Sequence, residues 1–295
     1  DTLRAVVNGV LGHQLVATRN PLAIKMTLRQ HDPARFDQHN RRIIIFAHGL
    51  CMNDLQWARQ DQGDDQSRAL AADLGYTPFY LHYNSGLYIA ANGLAFAKLL
   101  EDTLAAWPEM VDELVIVGHS MGGLLARSAY YYATVANLQW PRLLRKLVFL
   151  GTPHHGSPLE RGGNWMDVFL TASPFLAPLA HLGQARSAGI TDLRYGSLRD
   201  EDRVRTNRFA RTGDSRQPLP LPAGVQCYAA AAVLGKGTTN LTGALLGDGL
   251  VPLNSALGLH ADPRLALAIP PERQWVRYDT GHLELLWQPE VFAQV

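Results

Sequence analysis

Residues 113–123 read ELVIVGHSMGG, and LLARSAYYYA follows at 124–133. A short apolar run ends in Gly118-His119-Ser120-Met121-Gly122 and passes straight into a helical pattern, so the order is strand, G-x-S-x-G, helix. A serine on such a turn is lifted off the end of the strand, and the flanking positions need glycine because side chains there would strike neighbouring backbone. Ser120 is therefore the candidate nucleophile. The pattern alone is modest evidence in a chain with 26 glycines; the strand before it and the helix after it make the signal specific.

Moving outward, further apolar runs recur at 42–47, 77–83, 145–150, 225–233 and 274–279. Helical patterns occupy 87–106 before Pro108, 121–137 before Pro141, and a closing stretch near 283–295. Strands alternating with helices specify a mainly parallel, twisted α/β sheet with helices on both faces. Residues 1–30 open with an amphipathic pattern, Leu3, Val6, Val7, Val10 and Leu11. A membrane-surface anchor is disfavoured there because the polar face lacks Lys and Arg density, which leaves a helix packed on the domain. The whole chain is expected to be one domain, 1–295, with an N-terminal extension over 1–40 and a cap inserted at about 156–222 between two late strands. That gap is too long for a simple crossover. Its first half carries Trp165, Met166, Val168, Phe169 and Leu170. Rooted beyond a strand's C-terminal end, it is placed to roof the serine, with Trp165 and Phe169 as candidate substrate contacts; ordinary core or a dimer face would look the same in sequence.

With 47% apolar and 18% charged residues the chain can bury a large core. Twenty-seven basic residues nearly cancel 26 acidic ones and form no stripe, so nucleic acid is not an expected partner. No apolar run reaches the roughly 18 residues of a transmembrane helix. The chain reads as soluble, cytoplasmic in preference to secreted, with a leader removed ahead of Asp1 left open. Cys51 and Cys227 are too few for a disulfide framework and read as free thiols.

GHSMGG at 118–123 and His48-Gly49 resemble bacterial lipases and esterases of the α/β-hydrolase superfamily, over roughly residues 40–295. HYNSG at 82–86, GTPHHGSP at 151–158 and GDGLVPLNSA at 247–256 look closer to its lipase-like and inositol-deacylase-like branch. The resemblance implies the α/β-hydrolase fold and acyl transfer to a serine. An imidazole must take the serine proton, and in this fold the chain order is Ser, acid, His. His282 fits, since RYDTGHLELLW places it after the last strand and ahead of a helix; His260 precedes that strand, and His154 and His155 follow an earlier one. Asp248 in GDGLVP is the expected acid by order and likeness. An Asp-Gly turn is its bland alternative, and Asp279 ranks second because it lies too near His282 along the chain. For the oxyanion, one backbone donor is Met121, the residue after the nucleophile. By resemblance to HG-type loops the other is Leu50. His48 reads as a loop-shaping residue, and His119 is expected to point away from the site and to pack or bond locally.

This chemistry needs no metal or organic cofactor, and Glu284 and Glu290 do not suggest a calcium site. The expected substrate is a small-molecule or lipid ester, uncharged or amphipathic, with a short to medium acyl chain. An acyltransferase or an amidase or urethane hydrolase would use the same triad, and a non-catalytic binding protein could keep the same fold.

Overall fold

The computed structural model describes residues 1–57, 65–157, 187–202, 216–235 and 247–294. Seven strands form one sheet: β1 (Thr27–Arg29), β2 (Arg42–Ala47), β3 (Thr77–His82), β4 (Glu113–His119), β5 (Leu144–Leu150), β6 (Gln226–Val233) and β7 (Gln274–Tyr278). Their spatial order is β1-β3-β2-β4-β5-β6-β7, with β1 antiparallel to β3 and every other pairing parallel. The order reverses around β2 and β4, so loops leaving the C-terminal ends of these strands open a crevice.

Alternation along each central strand builds two cores. Ile43 and Ile45 of β2, Leu114 and Ile116 of β4, and Leu147 and Phe149 of β5 face one side; Ile44, Phe46, Val115, Val117, Val148 and Leu150 face the other. Both faces are buried, which is why these strands read as continuous apolar runs instead of alternating ones. The first face carries α1 (Thr2–Ala17), α3 (Ile89–Ala105) and α4 (Met121–Val135). Ile89, Gly93, Phe96, Ala97 and Leu100 supply the buried stripe of α3 at three- and four-residue spacing. The second face is covered by α2 (Gln66–Asp73), whose start is capped by Asp65 accepting the Arg68 N–H at 3.0 Å, and by the C-terminal residues.

The α/β-hydrolase architecture expected from the sequence is the one observed. Short elements such as β1 and α2 were not legible, each too brief to show a period. The closing helix expected over 283–295 is instead two pieces, a 3-10 turn at Leu283–Leu286 and a helical turn at Pro289–Phe292. Pro289 cannot continue a helix, and it starts the second piece. The opening helix packs on the domain through Ala5, Val6, Gly9, Val10, Gly12 and Leu15. No helix among the described residues is long and apolar enough to cross a membrane. The expected cap at 156–222 falls largely outside the described residues, as do Trp165 and Phe169. Within it, the described segment 187–202 docks at the C-terminal edge of the sheet, where Asp192 accepts the Ile89 N–H at 2.7 Å and Gly189 N–H donates to the Gly86 carbonyl at 3.2 Å.

Candidate active site

Ser120 follows the last residue of β4 and precedes the first of α4. Its backbone stands at φ 54°, ψ −124°, a conformation that L-residues rarely adopt and that is held by the packing around it. The Ser120 N–H donates to Leu150 O at 2.8 Å, which ties the turn to β5. The need for glycine on either side is steric. A methyl group at Gly118 would lie 2.5 Å from Gly123 N and 2.6 Å from Gly122 C, and one at Gly122 would run into the carbonyl of Ala47 at the end of β2. Met121 begins α4, so its N–H has no carbonyl one turn behind it and stands at the positive end of the helix.

The loop after β2 runs beside this turn because Ala47 pairs with Gly118 in register. A methyl on Gly49 would lie 3.0 Å from Ser120 Cβ, so the loop passes directly against the serine. Leu50, next in the loop, is buried, and among the described residues no hydrogen bond uses its N–H. His48 is buried with its Nδ1–H donating to the Gly49 carbonyl at 2.8 Å, and burial lowers its pKa to about 4. It shapes the loop, as its sequence position suggested, and stays neutral.

Asp248 and His282 come from the loops after β6 and β7. The Asp248-Gly249 turn has its acid pointing inward: Oδ1 accepts the N–H groups of Leu250 at 3.0 Å and Val251 at 2.8 Å. Oδ2 lies 2.6 Å from Nδ1 of His282, with both side chains buried. That contact fixes the tautomer, with hydrogen on Nδ1, and leaves Nε2 lone-paired. Nε2 of His282 is buried and has no hydrogen-bond partner among the described residues. Asp279, the second-ranked acid, is exposed, with its backbone at φ 52°.

Two neighbours frame the imidazole. The ring of His119, the residue before Ser120, lies 4.8 Å from that of His282, and its Nε2 bonds the His282 carbonyl at 3.0 Å. His119 therefore bonds locally, as expected, but borders the site instead of pointing away from it. Burial, with the nearby His282 ring, holds it well below the ordinary histidine range. On the other side Gly151, just past β5 at φ 57°, leaves room for the ring: a methyl there would sit 3.1 Å from its Cε1 and Nδ1. Gly151 was quoted in the GTPHHGSP stretch without a role; the signal for it is a glycine at the C-terminal end of a central parallel strand.

The chain matches the family model described as the PGAP1-like alpha/beta domain over residues 38–206, more than half its length. It belongs to that family. The matched part of this PGAP1-like domain holds Leu50, Ser120 and Met121, whereas Asp248 and His282 lie beyond it. Among solved structures, the mature form of the lipase BlEst2 from Bacillus licheniformis is 19% identical with a TM-score of 0.53, covering 89% of this chain and 92% of its own. The propeptide form of the same lipase is 18% identical with a TM-score of 0.54, covering 89% and 50%. The ester-hydrolase EH1AB1 from the metagenome of Lake Arreo, solved with a bipyridine phosphonate derivative, is 14% identical at a TM-score of 0.50, covering 92% and 76%. At these identities the likeness is one of fold. No curated protein matches the chain in sequence.

Proposed function

We propose that this single-domain protein hydrolyses carboxylic esters through an acyl-enzyme, with Ser120 as nucleophile, His282 as general base and Asp248 as the acid that orients it. One observation carries the reading: Asp248 occupies Nδ1 of His282 and leaves a buried, unpartnered Nε2 at the sheet edge where Ser120 stands on its strained turn. Neutral imidazole would take the Ser120 proton as Oγ attacks the ester carbonyl, then return it to the departing alcohol. Water would repeat the sequence on the acyl-enzyme. Charge on the former carbonyl oxygen would meet the N–H groups of Leu50 and Met121, neither spent on another acceptor among the described residues. Two of the structural relatives are themselves named as a lipase and an ester-hydrolase.

The test is a panel of nitrophenyl esters and triglycerides of graded chain length, with fluorophosphonate labelling and Ser120→Ala as control. Wild type should turn over the soluble short and medium esters and label once. Ser120→Ala should lose label and about 10⁴–10⁶ of kcat while staying folded. Near wild-type turnover in that variant removes Ser120 from the role.

A further inference from the structure

The proposed chemistry leaves the HYNSG stretch after β3 unused, yet its side chains grip the His48–Cys51 loop on both sides of Leu50. Tyr83 donates its hydroxyl to the His48 carbonyl at 2.8 Å, and its ring stacks on the His48 imidazole with centroids 4.3 Å apart. Ser85 Oγ accepts the Cys51 N–H at 3.0 Å. Cys51 itself stands at φ 58°, so the chain turns sharply just after Leu50.

Between these anchors His48 holds the Gly49 carbonyl through Nδ1–H at 2.8 Å. That carbonyl shares a peptide plane with the Leu50 N–H, and in a trans peptide the two point in opposite directions. Fixing the carbonyl toward His48 therefore aims the N–H the other way.

The bracket is itself anchored. Asn84 accepts the Gly86 N–H at 3.1 Å and donates to the Gly12 carbonyl of α1 at 3.2 Å, and Asn92 of α3 donates to the Asn84 carbonyl at 2.9 Å. Helix α1 lies so close that a methyl at Gly9 would run into Cys51 Sγ and sit 2.8 Å from its Cα. Tyr83, Asn84, Ser85 and Cys51 are each about 1% exposed, so water does not compete for these bonds.

Resting on the reading that Leu50 is an oxyanion donor, we infer that His48, Tyr83 and Ser85 are positioning residues that hold its amide aimed at the carbonyl oxygen of a bound ester. A donor fixed before the reaction costs no reorganisation when charge develops, and a loosened one loses part of the factor of about 10²–10³ that a single donor supplies.

The experiment compares Ser85→Ala, Tyr83→Phe and Ser85→Thr with wild type and Ser120→Ala on one nitrophenyl ester, and measures inhibition by butaneboronic acid. The boronate's tetrahedral adduct on Ser120 puts an oxygen where the oxyanion forms. Ser85→Ala and Tyr83→Phe should each lower kcat by about 10–100-fold with KM nearly unchanged. The boronate Ki should rise in proportion, the midpoint of the pH profile should stay put because the base is untouched, and Ser85→Thr, which keeps the oxygen, should recover most of the rate. Wild-type kcat and Ki in both deletions, or a threonine variant as slow as the alanine one, overturns the inference while Ser120-dependent turnover in wild type leaves the functional reading standing. Absence of wild-type turnover and boronate binding brings down both. Should Ser85→Ala fail to fold, Tyr83→Phe, which removes a single oxygen, decides.

Discussion

Two buried histidine–aspartate pairs lie at the same edge of the sheet, and the proposed chemistry uses only one of them. At Asp248 one oxygen faces His282 at 2.6 Å and the other is filled by two backbone N–H groups. At Asp54, in the loop after β2, side chains take both oxygens. His82 Nδ1 is 2.7 Å from Oδ1, off the line a hydrogen bond needs, His31 Nε2 is 2.9 Å from Oδ2, and Arg29 approaches to 3.2 Å. Burial alone would raise the Asp54 carboxyl, yet His31, His82 and the charge of Arg29 hold it well below the usual carboxylate range. This second pair joins β1, β3 and the intervening loops into one charged knot. A short His–Asp contact is thus no sign of catalysis. The difference lies in what surrounds the carboxylate: Asp248 meets one imidazole and two backbone N–H groups, whereas Asp54 is ringed by the side chains of Arg29, His31 and His82.

Equal substitutions at the two acids should separate these roles. Asp248→Asn is expected to cut kcat by about 10⁴, because the amide favours the wrong tautomer of His282, with the fold retained. Asp54→Asn should leave kcat within about tenfold and instead cost about 2–4 kcal/mol in denaturant unfolding, since it takes the carboxylate away from Arg29 and from the two imidazoles packed against it. Steady-state kinetics and urea titration of both variants provide the check; interchanged outcomes would mean that the roles are assigned to the wrong pair.

A smaller effect is expected where the imidazole meets its floor. Gly151→Ala places a methyl 3.1 Å from the His282 ring at a backbone position of positive φ, and no comparable crowding touches His82. A displacement of the ring by a few tenths of an ångström to 1 Å should lower kcat by about 10–100-fold while the Asp54 region stays as it was. A kcat equal to wild type would show that the ring tolerates the shift.

What could be read from the sequence follows the same division. The central strands were legible because both of their faces are buried, and the elbow because steric demand fixes glycine at Gly118 and Gly122. His282 was singled out by chain order, and Asp248 by chain order together with the family likeness. Ser85, Tyr83 and Gly151 were quoted in motifs but given no role, since each acts through a neighbour distant in sequence. Nothing in the letters HYNSG says that Ser85 meets Cys51, 34 residues earlier. The Asp54 knot was invisible for the same reason: Arg29, His31, Asp54 and His82 share no spacing, only a place in the sheet. Where the closing helix failed, a local rule outweighed periodicity, because Pro289 splits the segment.

A last prediction concerns the histidines whose charges couple to the two pairs. His48 feels the charges of His82 and Asp54, and His119 those of His282 and His48. Burial depresses both, and His48 drops from 6.5 to about 4. A depressed histidine favours the folded state fully above the unfolded value. As pH falls below 6.5 the unfolded chain binds a proton that the folded one refuses, so stability declines until about pH 4. His48 alone accounts for up to about 1.4 kcal/mol per pH unit in that window, and the Asp54 carboxylate adds its own loss only below about pH 4. Urea midpoints should therefore slide downward from pH 7 to pH 5, above the range in which Asp54 contributes. His48→Asn should be less stable at pH 7 but visibly flatter across this range, whereas Asp54→Asn should lose the steeper fall beneath it. Equal slopes for wild type and His48→Asn would mean that His48 takes up its proton in the folded state as readily as in the unfolded one.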